Sequence, residues 1–300
     1  MDYGTVGDYC RKLGFKIRQV SRYSRDEVKI SDYLTSIGVD HIRNDWDTLN
    51  NKELDILIPH AGLAIEVNGI YWHSYVPTNP KGENPTRHLS KTLEARGKGI
   101  RILHFTDQEI RERWPLVTAT IERALGKTDT IPAEACTIVS PTADQQGEFL
   151  AAHSWCRHSA SAHAVGLCHD GQLVQLMAFT QTQEQVEISH LCALSGLTIT
   201  NGSATLLGHA NEFIGDRTIT ASSDMGKSTG SEFADLGLTQ TGEPVIESVW
   251  TDNNQILPPN PVEWLSDYEP TLSEEENMFA AGYRRYWADG RQTWVMHPCS

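Results

Sequence analysis

The chain lacks a C-x-x-C pair, a long apolar run, an internal repeat, a low-complexity tract and an excess of basic residues. Each absence excludes something. Six scattered cysteines without paired spacing argue against a disulfide framework and fit a reducing cytoplasm. Cys156 stands in HSWCRH between His153 and His158, but no second ligand pair follows, so a standard zinc motif is not expected there. A bilayer span needs about 20 apolar residues, and a secretory leader needs a basic stretch before an apolar one. Neither pattern is present, so no membrane association is expected. With 25 Lys+Arg against 39 Asp+Glu the formal charge is −14, which as a bulk property opposes nucleic-acid binding.

The distribution of charge softens that objection. Residues 1–127 hold 19 Lys+Arg and 17 Asp+Glu, a balance of +2, whereas the remainder holds 6 against 22, a balance of −16. Basic groups gather at Arg11 to Arg25 and Arg87 to Arg101, so one basic face is expected rather than a cationic protein. At 300 residues the chain can build two domains. The Pro-containing stretch at 128–141, just after Gly126, is the expected linker between 21–127 and 142–300, and residues 1–20 read as a basic extension.

The most informative segment is ELDILIPHAGLAIEVNGIYWHS, Glu53 to Ser74. Asp55 lies in the apolar run of Leu54, Ile56, Leu57 and Ile58, and Glu66 follows Leu63, Ala64 and Ile65. An unpaired carboxylate is costly to bury, so each acid needs a strand end, a cation or a hydrogen-bond donor. Pro59 to Gly62 suits a hairpin turn that brings the two acids together, and two carboxylates can share a Mg²⁺ ion. The alternative is a core hairpin whose acids point outward. Asn68 and Gly69 give a second turn signal, and Ile70, Tyr71, Trp72 and His73 set an imidazole beyond an aromatic run.

LDILIP followed by AIEVNGIYWHS resembles the very-short-patch repair endonucleases and, more closely, the phage homing endonucleases of the same fold (the EDxHD type) within the PD-(D/E)xK nuclease group. The resemblance implies a mixed sheet flanked by helices that cuts double-stranded DNA with Mg²⁺, Mn²⁺ serving as a substitute, in the cytoplasm of a phage-infected bacterial host. Asp55 and Glu66 would bind the metal, and His73 would assist hydrolysis. Asn68 stands where the nuclease lysine is usual, which leaves the base open. A Glu on the first helix is also part of that pattern, here Glu27, although Ser24 to Glu27 equally reads as a capping box. The helix-like RHLSKTLEARGKG carries His88 and Lys91 three residues apart on one face, suited to phosphate contact or proton transfer or simply to solvent. Arg87, which opens the same helix, and Asn68 are expected DNA contacts on the same resemblance. One active site makes one nick, so double-strand cleavage would require a homodimer or sequential action.

Beyond residue 141 the order is helix, two strands joined at Asp170 and Gly171, strand, helix from Gly202, strand, and helix from Ser228. This resembles the α/β fold of the GNAT acyltransferases, as found beside the nuclease in some phage homing endonucleases, and implies a DNA-recognition domain. The Arg or Gln that acetyl-CoA-binding members carry three residues before the loop Gly is replaced here by Ile199, with Ala204 two residues after Gly202. Lys227 is a candidate for DNA backbone contact. GYRRYWADGRQTWVM reads as two strands meeting at Asp289 and Gly290, and its Arg284, Arg285 and Arg291 interleave with aromatics in a DNA-contacting or core-covering hairpin.

Overall fold

The computed structural model describes residues 24–50, 52–77, 84–156, 161, 163–258 and 260–298. The basic extension at 1–20, most of the Pro77–Pro85 loop and His158 therefore lie outside the described residues. The chain divides into two compact units, 1–40 and 41–300. In the first, helix α1 (Arg25–Ser36) begins with the expected capping box. Glu27 N–H donates to Ser24 Oγ at 3.0 Å, and Ser24 N–H donates to a Glu27 carboxylate oxygen at 3.2 Å.

The second unit opens with strands β1 (Ile42–Leu49), β2 (Lys52–Ile58) and β3 (Leu63–Asn68). These are antiparallel neighbours, and β2 and β3 form the hairpin read from the sequence, with Gly62 in the left-handed region at its turn. Leu54, Ile56, Leu57 and Ile58 of β2 are buried without alternation, as befits a strand covered on both faces. Next come a helical turn α2 (Ile70–His73), the two-residue β4 (Ser74–Tyr75), helix α3 (Arg87–Gly97) and β5 (Arg101–Thr106). Strand β5 runs parallel beside β3, giving the sheet order β1-β2-β3-β5. A parallel neighbour requires a crossover, and α3 lies within it. Ala95 of α3 packs with Leu49, Leu54, Leu57, Ala64 and Ile102.

Helices α4 (Asp107–Glu112) and α5 (Trp114–Ala124) follow. The expected linker is structured instead: β6 (Asp129–Pro132) pairs with β11 (Leu197–Thr200), and β7 (Thr137–Val139) pairs with β8 (His163–His169). Helix α6 (Ala143–His153) precedes β8. The Asp170–Gly171 turn joins β8 to β9 (Gln172–Gln181), with both turn residues at positive φ as a two-residue hairpin of this type requires. Strand β10 (Gln185–Ala193), helix α7 (Gly202–Ile214) and strand β12 (Thr218–Asp224) match the sequence reading, whereas α8 (Ser231–Ala234) is only one turn. With β13 (Thr239–Val245) and β16 (Arg291–Met296), these strands build a sheet of order β13-β16-β12-β10-β9-β8-β7. Leu206, Leu207, Ala210 and Ile214 of α7 join its main core, while Phe149 and Leu150 of α6 pack with Leu176 and Ala178. The chain is thus of mixed α/β class, and no helix among the described residues is long and apolar enough to cross a membrane.

The expected terminal hairpin is not formed. Strand β15 (Arg284–Trp287) pairs with β4 and with β14 (Ser248–Thr251), whereas β16 joins the large sheet. Asp289 and Gly290, the glycine at positive φ, therefore carry the chain from one sheet to another. Helix α9 (Glu274–Ala280), capped by Ser273, precedes β15.

Candidate functional site

Asp55 and Glu66 follow directly from the Ile56–Ile65 pair of the β2–β3 ladder, so they are cross-strand neighbours. Side chains replace backbone partners there. The Asp55 Oδ2 accepts from Val67 N–H at 2.7 Å, and Glu66 Oε1 accepts from Asp55 N–H at 3.2 Å. The two carboxylates are thereby fixed side by side where the β2–β3 pairing ends. Asp55 is half-buried and Glu66 is buried. Lys91 of α3 donates to Glu66 Oε2. Burial raises the Glu66 carboxyl above its usual range, and the Lys91 ammonium and the Asp55 N–H work against that rise.

Helix α3 positions the next residues. His88, Lys91, Thr92 and Ala95 recur at helical spacing on one stripe, polar at its start and apolar at its end. Glu66 of β3 faces His104 of β5 in the parallel register, so the polar part of the stripe meets polar strand positions. His104 is fully buried: its Nδ1 lies 3.2 Å from Asn68 Nδ2, and its Nε2 lies 2.8 Å from Thr92 Oγ1. Burial pushes the His104 imidazole down to about 4, which keeps it neutral at physiological pH.

His73 ends the α2 turn, with its Nδ1 2.9 Å from His88 Nε2; His88 Nδ1 in turn lies 2.9 Å from Asp289 Oδ1. When His88 Nδ1–H donates to the Asp289 carboxylate, its Nε2 accepts from His73 Nδ1–H. Burial, with the neighbouring His88, Arg87 and Lys91, lowers the His73 imidazole to about 3. Burial opposes ionisation of Asp289, but His104, His88 and Lys227 outweigh it and hold that carboxyl below its usual range. Tyr71 and Trp72, on the same turn as His73, are exposed, and the Arg284 guanidinium lies 4.5 Å from the Tyr71 ring centre.

The fold therefore gathers Asp55, Glu66, Asn68, His73, His88 and Lys91, while Glu27 belongs to the other unit, where its carboxylate caps α1. Several expected DNA contacts require correction. Lys227 is an internal cation: it pairs with Glu109 at 2.9 Å, donates to the His104 carbonyl, and lies 4.8 and 4.6 Å from the Phe105 and Trp155 rings. A buried ammonium needs such partners, and they leave it no exposed head for a phosphate. Arg285 pairs with Glu275 at 3.2 Å and covers the Trp250 and Trp287 rings. Arg291 reaches Glu247 at 3.5 Å and Ser222 Oγ at 3.2 Å. These arginines tie elements of the unit together rather than forming a charged hairpin. Asn68 is buried against His104, and His88 is buried behind His73, so neither is an exposed phosphate contact; Arg87 is exposed at the start of α3. Asp107 accepts from Ile70 N–H at 3.1 Å and so fixes the α2 turn.

Asp289 and His104 were missed in the sequence. Asp289 reads as a turn residue beside Gly290, and His104 is a single polar residue in the apolar run ILHF, where the cost of burying an imidazole was the one available signal.

A cavity of about 480 Å³ lies where β10 and β12 part after the Ile188–Ala221 pair, beside a bulge at Ser189. His153, Cys156, Gln175, His190 and Asp224 are among its lining residues. At the start of α7, a Cβ on Gly202 would fall 1.9 Å from Gln175 Oε1, so Gly202 serves close packing of the helix on β9.

No family model and no curated protein matches the chain. Among solved structures the chain is similar to N-acetylglutamate synthase from Neisseria gonorrhoeae, solved with coenzyme A and N-acetyl-glutamate, at 13% identity and a TM-score of 0.31. The alignment covers 70% of this chain and 46% of that one, so the chain spans less than half the length of the structure it matches. A likeness this slight has no bearing on what the chain does.

Proposed function

We propose that the chain is a Mg²⁺-dependent endodeoxyribonuclease that hydrolyses phosphodiester bonds of double-stranded DNA in the manner of the phage homing endonucleases its sequence resembles. The observation that carries this reading is the pair Asp55–Glu66, bound to each other's strand at one end of the β2–β3 hairpin with Lys91 on Glu66. The order β1-β2-β3-β5, with β5 parallel to β3, supports it.

Two carboxylates from adjacent strands suit a hard cation that prefers oxygen donors, so the donor set fits Mg²⁺, or Mn²⁺ in its place. Asp55 and Glu66 would hold the ion, which when bound would neutralise phosphate charge and make its water more acidic. Lys91, already a counter-charge to Glu66, takes the part of the lysine that Asn68 leaves vacant on the strand and would neutralise the phosphate. His73 would move a proton at Nε2, because its Nδ1 is engaged with His88.

The second half would extend the DNA footprint as a GNAT-like recognition domain. Its helix–strand order and the divergence of β10 from β12 support that likeness. Acetyl transfer is less favoured, because Ile199 stands where acetyl-CoA-binding members of that family carry Arg or Gln three residues before the loop Gly. The protein would act on DNA in the cytoplasm of an infected bacterial host, with a homodimer where both strands are cut.

The test is cleavage mapping on phage and bacterial DNA with and without Mg²⁺. Specific cuts that need the ion and vanish in Asp55→Asn, with DNA binding retained, support the reading. Binding without cutting at any Mg²⁺ or Mn²⁺ concentration overturns it. A preference for mismatched or branched duplexes over intact ones reassigns the enzyme to repair.

A further inference from the structure

Behind His73, three donor side chains from distant parts of the sequence converge: His88 of α3, His104 of β5, and Asp289 from the β15–β16 connection. We propose that they hold a structural zinc ion, in a site separate from the Asp55–Glu66 pair.

The spacing is that of a coordination shell. His88 Nδ1 lies 2.9 Å and His104 Nδ1 3.6 Å from the same Asp289 oxygen, and one donor atom from each residue lies within 4.8 Å of the others. Ligands about 2.0–2.1 Å from a tetrahedral Zn²⁺ stand about 3.3 Å apart, between the two observed separations. The amide of Asn68, 3.2 Å from His104 Nδ1, supplies a fourth polar group at the same place. Its oxygen and nitrogen exchange by a flip, so it can offer an acceptor to the ion.

The outer nitrogens are held as well. Metal-binding imidazoles nearly always have the second ring nitrogen in a hydrogen bond that fixes the ring. Here His104 Nε2 meets Thr92 Oγ1 at 2.8 Å, and His88 Nε2 meets His73 Nδ1 at 2.9 Å. The backbone around Asp289 leaves it little room to move: a Cβ on Gly226 would fall 2.3 Å from Asp289 Oδ2, and Met225 N–H donates to the Gly290 carbonyl at 2.9 Å.

Ligand chemistry selects the ion. Two imidazoles and one carboxylate suit a borderline transition metal over Mg²⁺ or Ca²⁺, which take oxygen donors. The side chains are only 8%, 1% and 13% exposed, which fits a closed structural site and therefore zinc. The ion would pin the β15–β16 connection to α3 and β5. It would also fix the proton of His88 on Nε2, which donates to His73 Nδ1 and leaves His73 Nε2–H as a donor towards a departing oxygen.

The test is the metal content of the full chain, prepared without a histidine tag and dialysed against metal-free buffer, followed by competition for Zn²⁺ with a chromophoric chelator. The expected result is one Zn²⁺ per chain in the wild type and in Asp55→Asn. Asp289→Asn and His104→Gln should bind Zn²⁺ at least about 100-fold more weakly. Co²⁺ substituted into the wild type should give the intense visible absorption of a tetrahedral site. Substoichiometric zinc, iron in its place, a weak octahedral cobalt spectrum, or folded variants that bind like the wild type would each overturn the proposal. If a variant fails to fold, as judged by circular dichroism, the wild-type zinc content and cobalt spectrum decide. None of these readouts depends on cleavage, so the zinc site and the nuclease reading can fail separately.

Discussion

Replacing Lys91 by Met tests the charge balance on which the Asp55–Glu66 site depends. Glu66 is 6% exposed, and the Lys91 side chain beside it is 17% exposed, so the pair is screened little by solvent. Removing one partner of a buried pair leaves an uncompensated charge, at a cost of about 3–5 kcal/mol. Against a total stability of about 5–15 kcal/mol, that is a large fraction. Burial already raises the Glu66 carboxyl, and loss of Lys91 raises it further. A folded state that holds a proton more tightly than the unfolded chain loses stability as pH rises, so the defect should be greatest near pH 8 and shrink towards pH 5. The assay is urea denaturation followed by tryptophan fluorescence in EDTA. Lys91→Met should lower the midpoint sharply, and Glu66→Gln in the same chain should restore most of the loss. Mg²⁺ should stabilise Lys91→Met more than the wild type, because the ion replaces the missing charge. A loss under about 1 kcal/mol, or no rescue by Glu66→Gln, would refute the claim that the pair is a buried, mutually dependent unit.

In EDTA the wild type should lose stability as pH falls from 7 to 5, because His73 and His104 are held near 3 and 4 when folded against an ordinary 6.5. The unfolded chain takes up two protons there that the folded chain refuses, a loss of about 4 kcal/mol by linkage, of which His73→Gln should remove about half; a flat profile counts against burial of the imidazoles. Lys227→Met should cost about 3–5 kcal/mol in urea unfolding while leaving the salt slope of DNA binding unchanged, since its ammonium serves Glu109 and the rings of Phe105 and Trp155. Arg87→Ala, on an exposed residue, should do the reverse, reducing that slope by about 1 with stability nearly intact. Gly202→Ala should lower the unfolding free energy by about 1–3 kcal/mol, because its Cβ would overlap Gln175 and Ile199; an unchanged melting temperature would show that α7 can shift freely.

By itself the sequence determined the local elements and half of the site. Two apolar runs either side of Pro59–Gly62 admit little but a buried hairpin, and an acid at the same distance from the turn in each run has to meet its counterpart across the strands. The Asp170–Gly171 turn, the Ser24–Glu27 capping box and helix α7 were legible for the same reason: their causes lie within a few residues. Only the tertiary structure decided the rest. GYRRYWADGRQ has every local mark of a hairpin, yet β15 and β16 enter different sheets, because Tyr286 and Trp294 are buried in separate surroundings that no local pattern encodes. That parting carries Asp289 to His88, about two hundred positions earlier in the chain, and joins His73, His88, His104 and Asn68 into one cluster. The energy of placing a carboxylate there depends on which imidazoles surround it, and that is a property of the folded chain alone.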